Sequence, residues 1–183
     1  MSRNPPSATA LRVADLSQNA DHSFELRPDA AAMAEIAAAL DLSALRKLHF
    51  KGRLIPLGTS DWRLEAHLGA TVVRPCVVTL EPVTTRIDTE ITRQFIRDYA
   101  DVDEPEAEMP EDDTTEALGA WIDPAQVMQE ALALAVPDYP RKDDAKLGQM
   151  VYTEPGEAPM TDQDARPFAG LADLKQKLEN DED

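Results

Sequence analysis

The sequence predicts an α+β fold, in which a small antiparallel β-meander is packed by helices. Three central segments alternate apolar and polar residues with a period of two, as strands with one buried and one solvated face do. Short turns separate these segments, so antiparallel neighbours are expected. Three other segments repeat apolar residues at helical spacing. The 183 residues, 43% of them apolar, suffice for one core of ordinary size.

The predicted elements follow from local patterns along the chain. Strands are expected, in chain order, at residues 11–16, 23–26, 47–54, 62–72 and 83–95. A first helix should begin at Pro28 and Asp29, continue to Leu40, and cover the buried face of the meander. A second helix should begin at Asp123, which suits an N-cap, and end at Pro137.

Composition divides the chain into a lead, a domain and a tail. Residues 1–10 are expected to be a disordered lead, and 11–137 a single α+β domain. Within that domain, 101–117 is expected to be an acidic flexible insert, because its like charges and prolines offer little apolar surface to bury. Residues 138–183 are expected to be a linker followed by an amphipathic C-terminal helix.

Charge is distributed unevenly along a chain of net charge −17. Residues 44–97 hold nine of the eighteen Lys and Arg side chains against five acids, whereas 101–116 hold nine carboxylates and no base. A uniformly acidic protein would repel a phosphate backbone, but a locally basic region can neutralise phosphates. The charge pattern is therefore compatible with a nucleic-acid partner, although the net charge of the chain is negative.

Cysteine usage and hydropathy indicate the compartment. The chain has one cysteine, Cys76, so it cannot form an intrachain disulfide and suits a reducing environment. No segment approaches the roughly 20 apolar residues of a membrane span, and the first residues lack a signal-peptide pattern. We therefore expect a cytoplasmic protein without a membrane partner.

No recognisable catalytic or cofactor-binding motif is present. His22, His49 and His67 lack the spacing of a metal site or a catalytic triad, although His49 and His67 could face each other on adjacent strands. The seven glycines do not cluster into a phosphate-binding loop. Most carboxylates lie where nothing would desolvate them and raise their pKa for acid–base work. We expect a protein that is not an enzyme and uses no cofactor or metal.

Three segments show a family resemblance. The first is a compact turn after the 62–72 strand, made of Arg74, Pro75, Cys76, Val77, Val78, Thr79, Leu80, Glu81 and Pro82. The second runs from Ile122 through the second helix to Arg141, and the third from Arg166 to Lys175. In this order and spacing they resemble the YceD family, named for large ribosomal RNA subunit accumulation, whose turn has the pattern Cys-x-x-Cys-Leu-Glu-Pro.

The chain departs from the family pattern at its cysteines. Thr79 stands where the family often has a second cysteine, and Lys142 to Ala145 stand where many relatives have further ones. One cysteine cannot build a four-ligand zinc site. Either the turn of the family needs no metal, or apolar packing replaces the metal here. The first is more economical, because Pro75 and Pro82 stiffen the bend without an ion.

The resemblance implies a bacterial protein that takes part in the making or accumulation of large-subunit ribosomal RNA, with no reaction catalysed. The alternation adds a candidate binding surface on the solvated sheet face, formed by Lys47, His49, Lys51, Arg53, Arg63, His67 and Arg86. Such side chains can neutralise phosphates and stack on exposed bases. They are also the ordinary content of a solvated sheet face, so both interpretations stay open.

Two functions of different class are compatible with these patterns. The first is a factor that binds ribosomal RNA or a pre-ribosomal particle. The second is an adaptor or chaperone whose acidic segments engage a basic partner, such as a ribosomal protein or a nuclease, through charge complementarity. The two functions can coexist in one protein.

Overall fold

The computed structural model describes residues 5–99 and 114–146. Its elements are β1 Leu11–Arg12, β2 His22–Leu26, α1 Ala30–Ala39, β3 Ala44–Leu57, β4 Asp61–Pro75, β5 Pro82–Ile96, β6 Thr115–Ala117, β7 Trp121–Ile122 and α2 Pro124–Ala135. The expected strand 11–16 is extended only in β1 and then forms a short 3-10 turn. Most of the acidic insert and the expected C-terminal helix lie outside the described residues. The chain divides into two compact units, with a boundary after Lys142.

Strand β4 is the middle strand of a five-stranded sheet with the order β2-β3-β4-β5-β6. Its first four strands are consecutive antiparallel neighbours, which confirms the α+β fold class and its meander. Strand β6 adds to β5 in the parallel direction, so the sheet is mixed. Strands β1 and β7 form a separate antiparallel pair.

The core lies on one face of the large sheet, and both helices contribute to it. Alternate residues of β4, among them Trp62, Leu64 and Leu68, are fully buried. Helix α1 adds Ile36 and α2 adds Leu132 to the same apolar cluster. The first helix therefore shares the buried face with the second. Burial of these side chains at about 25 cal/mol per Å² is the main favourable contribution to folding.

A β-bulge in β3 brings two leucines to the same face. Arg46 pairs with Thr71 and His49 pairs with Gly69, so β3 has one extra residue between these pairs. Strict alternation would place Leu45 and Leu48 on opposite faces, yet both are buried. Before the bulge the buried residue of β3 has an odd number, as Leu45 does. After the bulge the buried residues have even numbers, as Leu48 does.

Both helices begin at an aspartate cap. Oδ1 of Asp29 accepts a hydrogen bond from the Ala32 N–H at 2.9 Å, and Oδ1 of Asp123 accepts one from the Ala125 N–H at 3.0 Å. Such a cap satisfies an otherwise orphaned donor and is worth about 1 kcal/mol. The expected N-cap role of Asp123 is thereby shown in its geometry.

Segments expected to be irregular make contacts with distant parts of the chain. Ser7 Oγ, in the expected disordered lead, donates to Oδ1 of Asp123 at 2.9 Å. The acidic flexible insert was expected to end at residue 117. In the structure, its last three residues, Thr115–Ala117, form strand β6. In the expected linker, the Pro140 carbonyl accepts from the Val77 N–H at 3.0 Å. Each partner is remote in sequence, which is why local composition did not reveal these contacts.

Candidate functional site

The basic face is the solvated face of β3, β4 and β5. It is defined by Lys47, His49, Lys51, Arg53, Arg63, His67 and Arg86, all at least partly exposed. The strand register places Lys51 beside His67 and Arg53 beside Glu65. These seven side chains therefore lie at exposed or partly exposed positions of three neighbouring strands. Which of them are available to a ligand depends on their contacts.

Two arginines of the basic face share one carboxylate. Arg53 Nη2 lies 3.1 Å from Glu65 Oε2, and its Nη1 lies 3.3 Å from Asp21 Oδ2. Arg63 Nε lies 3.1 Å from the other oxygen of Glu65, although its N–H has no hydrogen-bond acceptor. Exposed ion pairs of this kind contribute roughly 0–1 kcal/mol. Another anion can therefore compete for these arginines, but it must displace Glu65.

Asp88 links two further members of the basic face. Its Oδ1 lies 2.5 Å from His67 Nε2, and its Oδ2 accepts a hydrogen bond from Arg86 Nη2 at 3.1 Å. The hydrogen bond from Arg86, followed by that from His67, holds the pKa of Asp88 below its usual range. Asp88 therefore stays ionised and neutralises part of the positive charge around it.

Gly69 makes room for the packing of the histidines. The ring centroids of His49 and His67 lie 5.9 Å apart with the rings tilted by 34°. A Cβ atom on Gly69 would lie 2.0 Å from Cε1 of His49 and 2.8 Å from Nη2 of Arg86. The His49 ring thus lies directly over the bare backbone of β4. Sequence reasoning missed Gly69, although a glycine inside an alternating strand is a usable signal.

Lys47 and Lys51 are the least neutralised members of the basic face. Both are exposed, and neither forms an ion pair within residues 5–99 and 114–146. Glu25 pairs with Lys51 in the strand register, but its carboxylate accepts a hydrogen bond from Arg27 at 2.7 Å. Arg46 is also exposed beside Thr71 and was not among the predicted residues, because the bulge that reorients this end of β3 was not foreseen.

The family-motif turn joins β4 to β5 through a network of backbone bonds. The Cys76 N–H donates to the Glu81 carbonyl at 2.7 Å, and the Leu80 N–H donates to the Cys76 carbonyl at 2.9 Å. Pro75 and Pro82 pair at the ends of the two strands. The expected bend between the two prolines is therefore also closed by hydrogen bonds.

The sulfur of Cys76 is buried and accepts hydrogen bonds within this turn. The N–H groups of Val78 and Thr79 lie 3.4 and 3.5 Å from Sγ. Hydrogen bonding from the Thr79 side chain, then from backbone N–H groups, lowers the pKa of the Cys76 thiol to about 7. Among the residues that the structure describes, no group of three or more His, Cys, Asp or Glu side chains is placed to hold a metal ion.

Comparison with known families assigns the chain to one of them. A model of the family described as "Large ribosomal RNA subunit accumulation protein YceD" matches residues 64–175, which include the family-motif turn and α2. The chain belongs to this family. No curated protein and no solved structure matches it. No helix in the described part of the chain has the length and hydropathy to cross a membrane.

Proposed function

We propose that this protein is a non-enzymatic factor in ribosome biogenesis, which supports the accumulation or maturation of large-subunit ribosomal RNA by binding RNA or a pre-ribosomal particle. Its membership of the family named for that accumulation is the observation that carries the proposal. The basic face supplies an exposed cationic surface within a chain of net charge −17. A cytoplasmic location follows from the role.

Lys47 and Lys51 are the side chains that we propose for the first phosphate contacts. Their ammonium groups have no carboxylate partner in the described residues, so a phosphate need not displace one. Arg53 and Arg63 already share Glu65, and their contribution to phosphate binding is reduced by that competition. His49 and His67 add ring faces on which an unpaired base could stack.

The salt dependence of binding tests this proposal. Affinity for purified large-subunit ribosomal RNA fragments would be measured by fluorescence anisotropy at several salt concentrations. Removing two phosphate contacts with Lys47→Ala and Lys51→Ala should reduce the slope of log affinity on log salt by about 1.4, at about 0.7 per contact for single strands. The loss should be similar for different RNA sequences, because phosphate contacts carry no sequence information.

A charge-matched variant controls for the change in net charge. Arg12→Ala with Arg141→Ala removes two positive charges from exposed positions outside the basic face. This control should bind RNA nearly as the wild type does. If both double variants weaken binding equally, the effect is one of total charge, and the basic face is not the binding surface.

A triple variant tests the same face on a pre-ribosomal particle. Changing Lys51, Arg53 and Arg63 to alanine should weaken association with the particle, and high salt should have the same effect on the wild type. The unfolding temperature should stay nearly unchanged, since exposed charges contribute little to folding. Normal association of this variant would exclude the basic face as the particle-binding surface.

The second candidate function is an acidic adaptor or chaperone that engages a basic protein, such as a ribosomal protein or a nuclease. The supporting observation is the run of nine carboxylates without a base in residues 101–116. Such a run attracts a basic partner and speeds its association at low salt. This function predicts that deletion of 101–113 abolishes association with the particle while the triple variant associates normally.

A further inference from the structure

Leu80 combines a strained backbone conformation with an exposed apolar side chain. Its backbone has φ +60°, a conformation that costs a residue with a side chain roughly 1–2 kcal/mol and that glycine adopts freely. Its side chain is 78% exposed, so packing within the domain does not compensate for the strain. Backbone strain is concentrated at functional sites, and exposed apolar residues that form a contiguous patch mark interaction surfaces.

The side chain of Leu80 borders a recess of about 440 Å³ at the end of β4. Leu42, Val77 and Pro140 also line this Leu80 recess, and the Val77 N–H donates to the Pro140 carbonyl at 3.0 Å. Val77 is 45% exposed and Tyr139, next to Pro140 in the chain, is 79% exposed. Two of the four large apolar side chains that are exposed in the described residues, Val77 and Leu80, therefore line one recess.

The lining of the Leu80 recess has a net negative charge. Asp41 and Asp138 both line it, and within the described part of the chain neither forms an ion pair. The one base of the lining, Arg74, donates from Nη1 to the Pro137 carbonyl at 2.9 Å. Two carboxylates against one guanidinium favour a cationic ligand, and the net charge of −17 adds attraction of the same sign at longer range.

We propose that the Leu80 recess is the docking site for a basic protein segment that inserts a large apolar side chain beside Leu80. The apolar contact would supply affinity, and Asp41 and Asp138 would select segments with Arg or Lys next to the inserted residue. This surface is separate from the basic face and does not depend on RNA binding. It gives the adaptor function a defined site outside the acidic run.

A synthetic peptide tests the docking site in the full-length protein. The probe is a fluorescent peptide with one leucine between two pairs of arginines, and its binding is followed by anisotropy. Leu80→Gly should lower the affinity about tenfold, which corresponds to about 1.4 kcal/mol for a lost apolar contact. Because glycine accepts φ +60°, the same variant should keep or raise the unfolding midpoint. Asp138→Asn should weaken binding several-fold and reduce its salt dependence.

Matched controls distinguish binding at this recess from non-specific binding of the peptide. Leu134 is 82% exposed on α2, and Leu134→Ala should leave peptide binding unchanged. A peptide with alanine in place of leucine, or glutamates in place of the arginines, should bind at least tenfold more weakly. Equal binding of the alanine peptide, or normal binding by Leu80→Gly, would overturn the proposal. So would self-association of the wild type in sedimentation that Leu80→Gly abolishes, since a second copy would then be the occupant.

Discussion

His67 and Asp88 contact each other across β4 and β5, with Nε2 of the histidine 2.5 Å from Oδ1 of the aspartate. Arg86 donates to the other carboxylate oxygen at 3.1 Å. Asp88 is therefore held between two donors of the basic face. An approaching phosphate would meet a carboxylate already bonded to two donors instead of a bare negative charge.

We expect Arg86→Ala to raise the pKa of Asp88 more than His67→Ala does, because the Arg86 hydrogen bond is the larger cause of the lowered pKa. Since the pKa is lowered in the folded state, the stabilisation is complete above the unfolded-state pKa of about 3.9 and is lost as pH falls through the folded-state pKa. NMR titration of the carboxyl carbon would measure both variants. A larger shift for His67→Ala would contradict the expected order.

Two glycines of the sheet should differ in their tolerance of alanine. At Gly52 a Cβ would lie 2.3 Å from the Glu65 carbonyl oxygen, which belongs to the backbone and cannot move aside. At Gly69 the nearest atoms belong to the side chains of His49 and Arg86, which can rotate. In urea unfolding, Gly52→Ala should cost about 1–3 kcal/mol or more, and Gly69→Ala less.

A double variant provides the control for Gly69. Adding His49→Ala should restore most of the stability that Gly69→Ala loses, because it removes the ring that the new Cβ would meet. The same His49→Ala change should not rescue Gly52→Ala. Rescue of both variants would mean that the loss does not arise from contact with the His49 ring.

The acidity of the Cys76 thiol should depend on Thr79. Thr79→Val removes the hydrogen bond that contributes most to lowering the pKa, so the pKa should rise from about 7 towards its usual value. The thiolate absorbance near 240 nm, followed against pH, measures this change. In the wild type, the unfolding free energy should increase as pH rises through about 7 towards the unfolded-state pKa, because the folded state releases its proton first. Identical titrations of wild type and variant would contradict the role of Thr79.

We predict that folding requires no zinc. Cys76 is the single cysteine, and Thr79 stands where a second thiolate ligand would lie. Elemental analysis of the purified protein should find no stoichiometric zinc, and addition of a chelator should leave the thermal midpoint unchanged. Stoichiometric metal together with unfolding on chelation would disprove this prediction.

Two deletions of different length should distinguish the effect of residues 101–112 on stability from the effect of β6. Removal of 101–112 takes away charges that repel one another, so the cooperative unfolding transition should persist or become more stable. Extending the deletion through Ala117 also removes β6 and its parallel pairing with Gln94–Ile96, and should lower the unfolding free energy. A loss of several kcal/mol from the shorter deletion would show that the run stabilises the domain.

Local periodicity was sufficient to predict the meander and, outside the bulge of β3, which residues of a strand are buried. A sheet with one buried face imposes a period of two, and in β4 Trp62, Leu64 and Leu68 are buried while Arg63 and His67 are not. The same reasoning selected the seven residues of the basic face, whose binding role stays a prediction. It did not reveal which of them are neutralised, because those pairs depend on side-chain distances across strands.

Features that depend on tertiary contacts could not be predicted from the sequence. The bulge at Lys47 lies within a run of alternating residues and has no glycine to mark it. The parallel pairing of β6 joins Gln94–Ile96 to Thr115–Ala117, at the end of an acidic run whose composition indicates only a loop. The left-handed conformation of Leu80 has no sequence signal either, since glycine or asparagine is the usual residue there.

The contacts of the N-cap of α2 also bear on the order in which parts of the chain fold. One oxygen of Asp123 accepts from Ser7 and Thr9, residues 116 and 114 positions away, and Leu11 pairs with Ile122. During synthesis Ser7, Thr9 and Leu11 leave the ribosome before residues 122 and 123 are available to pair with them. The contacts of the meander are closer in sequence and can form earlier. Residues 7–11 are therefore made before their partners and are among the last to reach their folded positions.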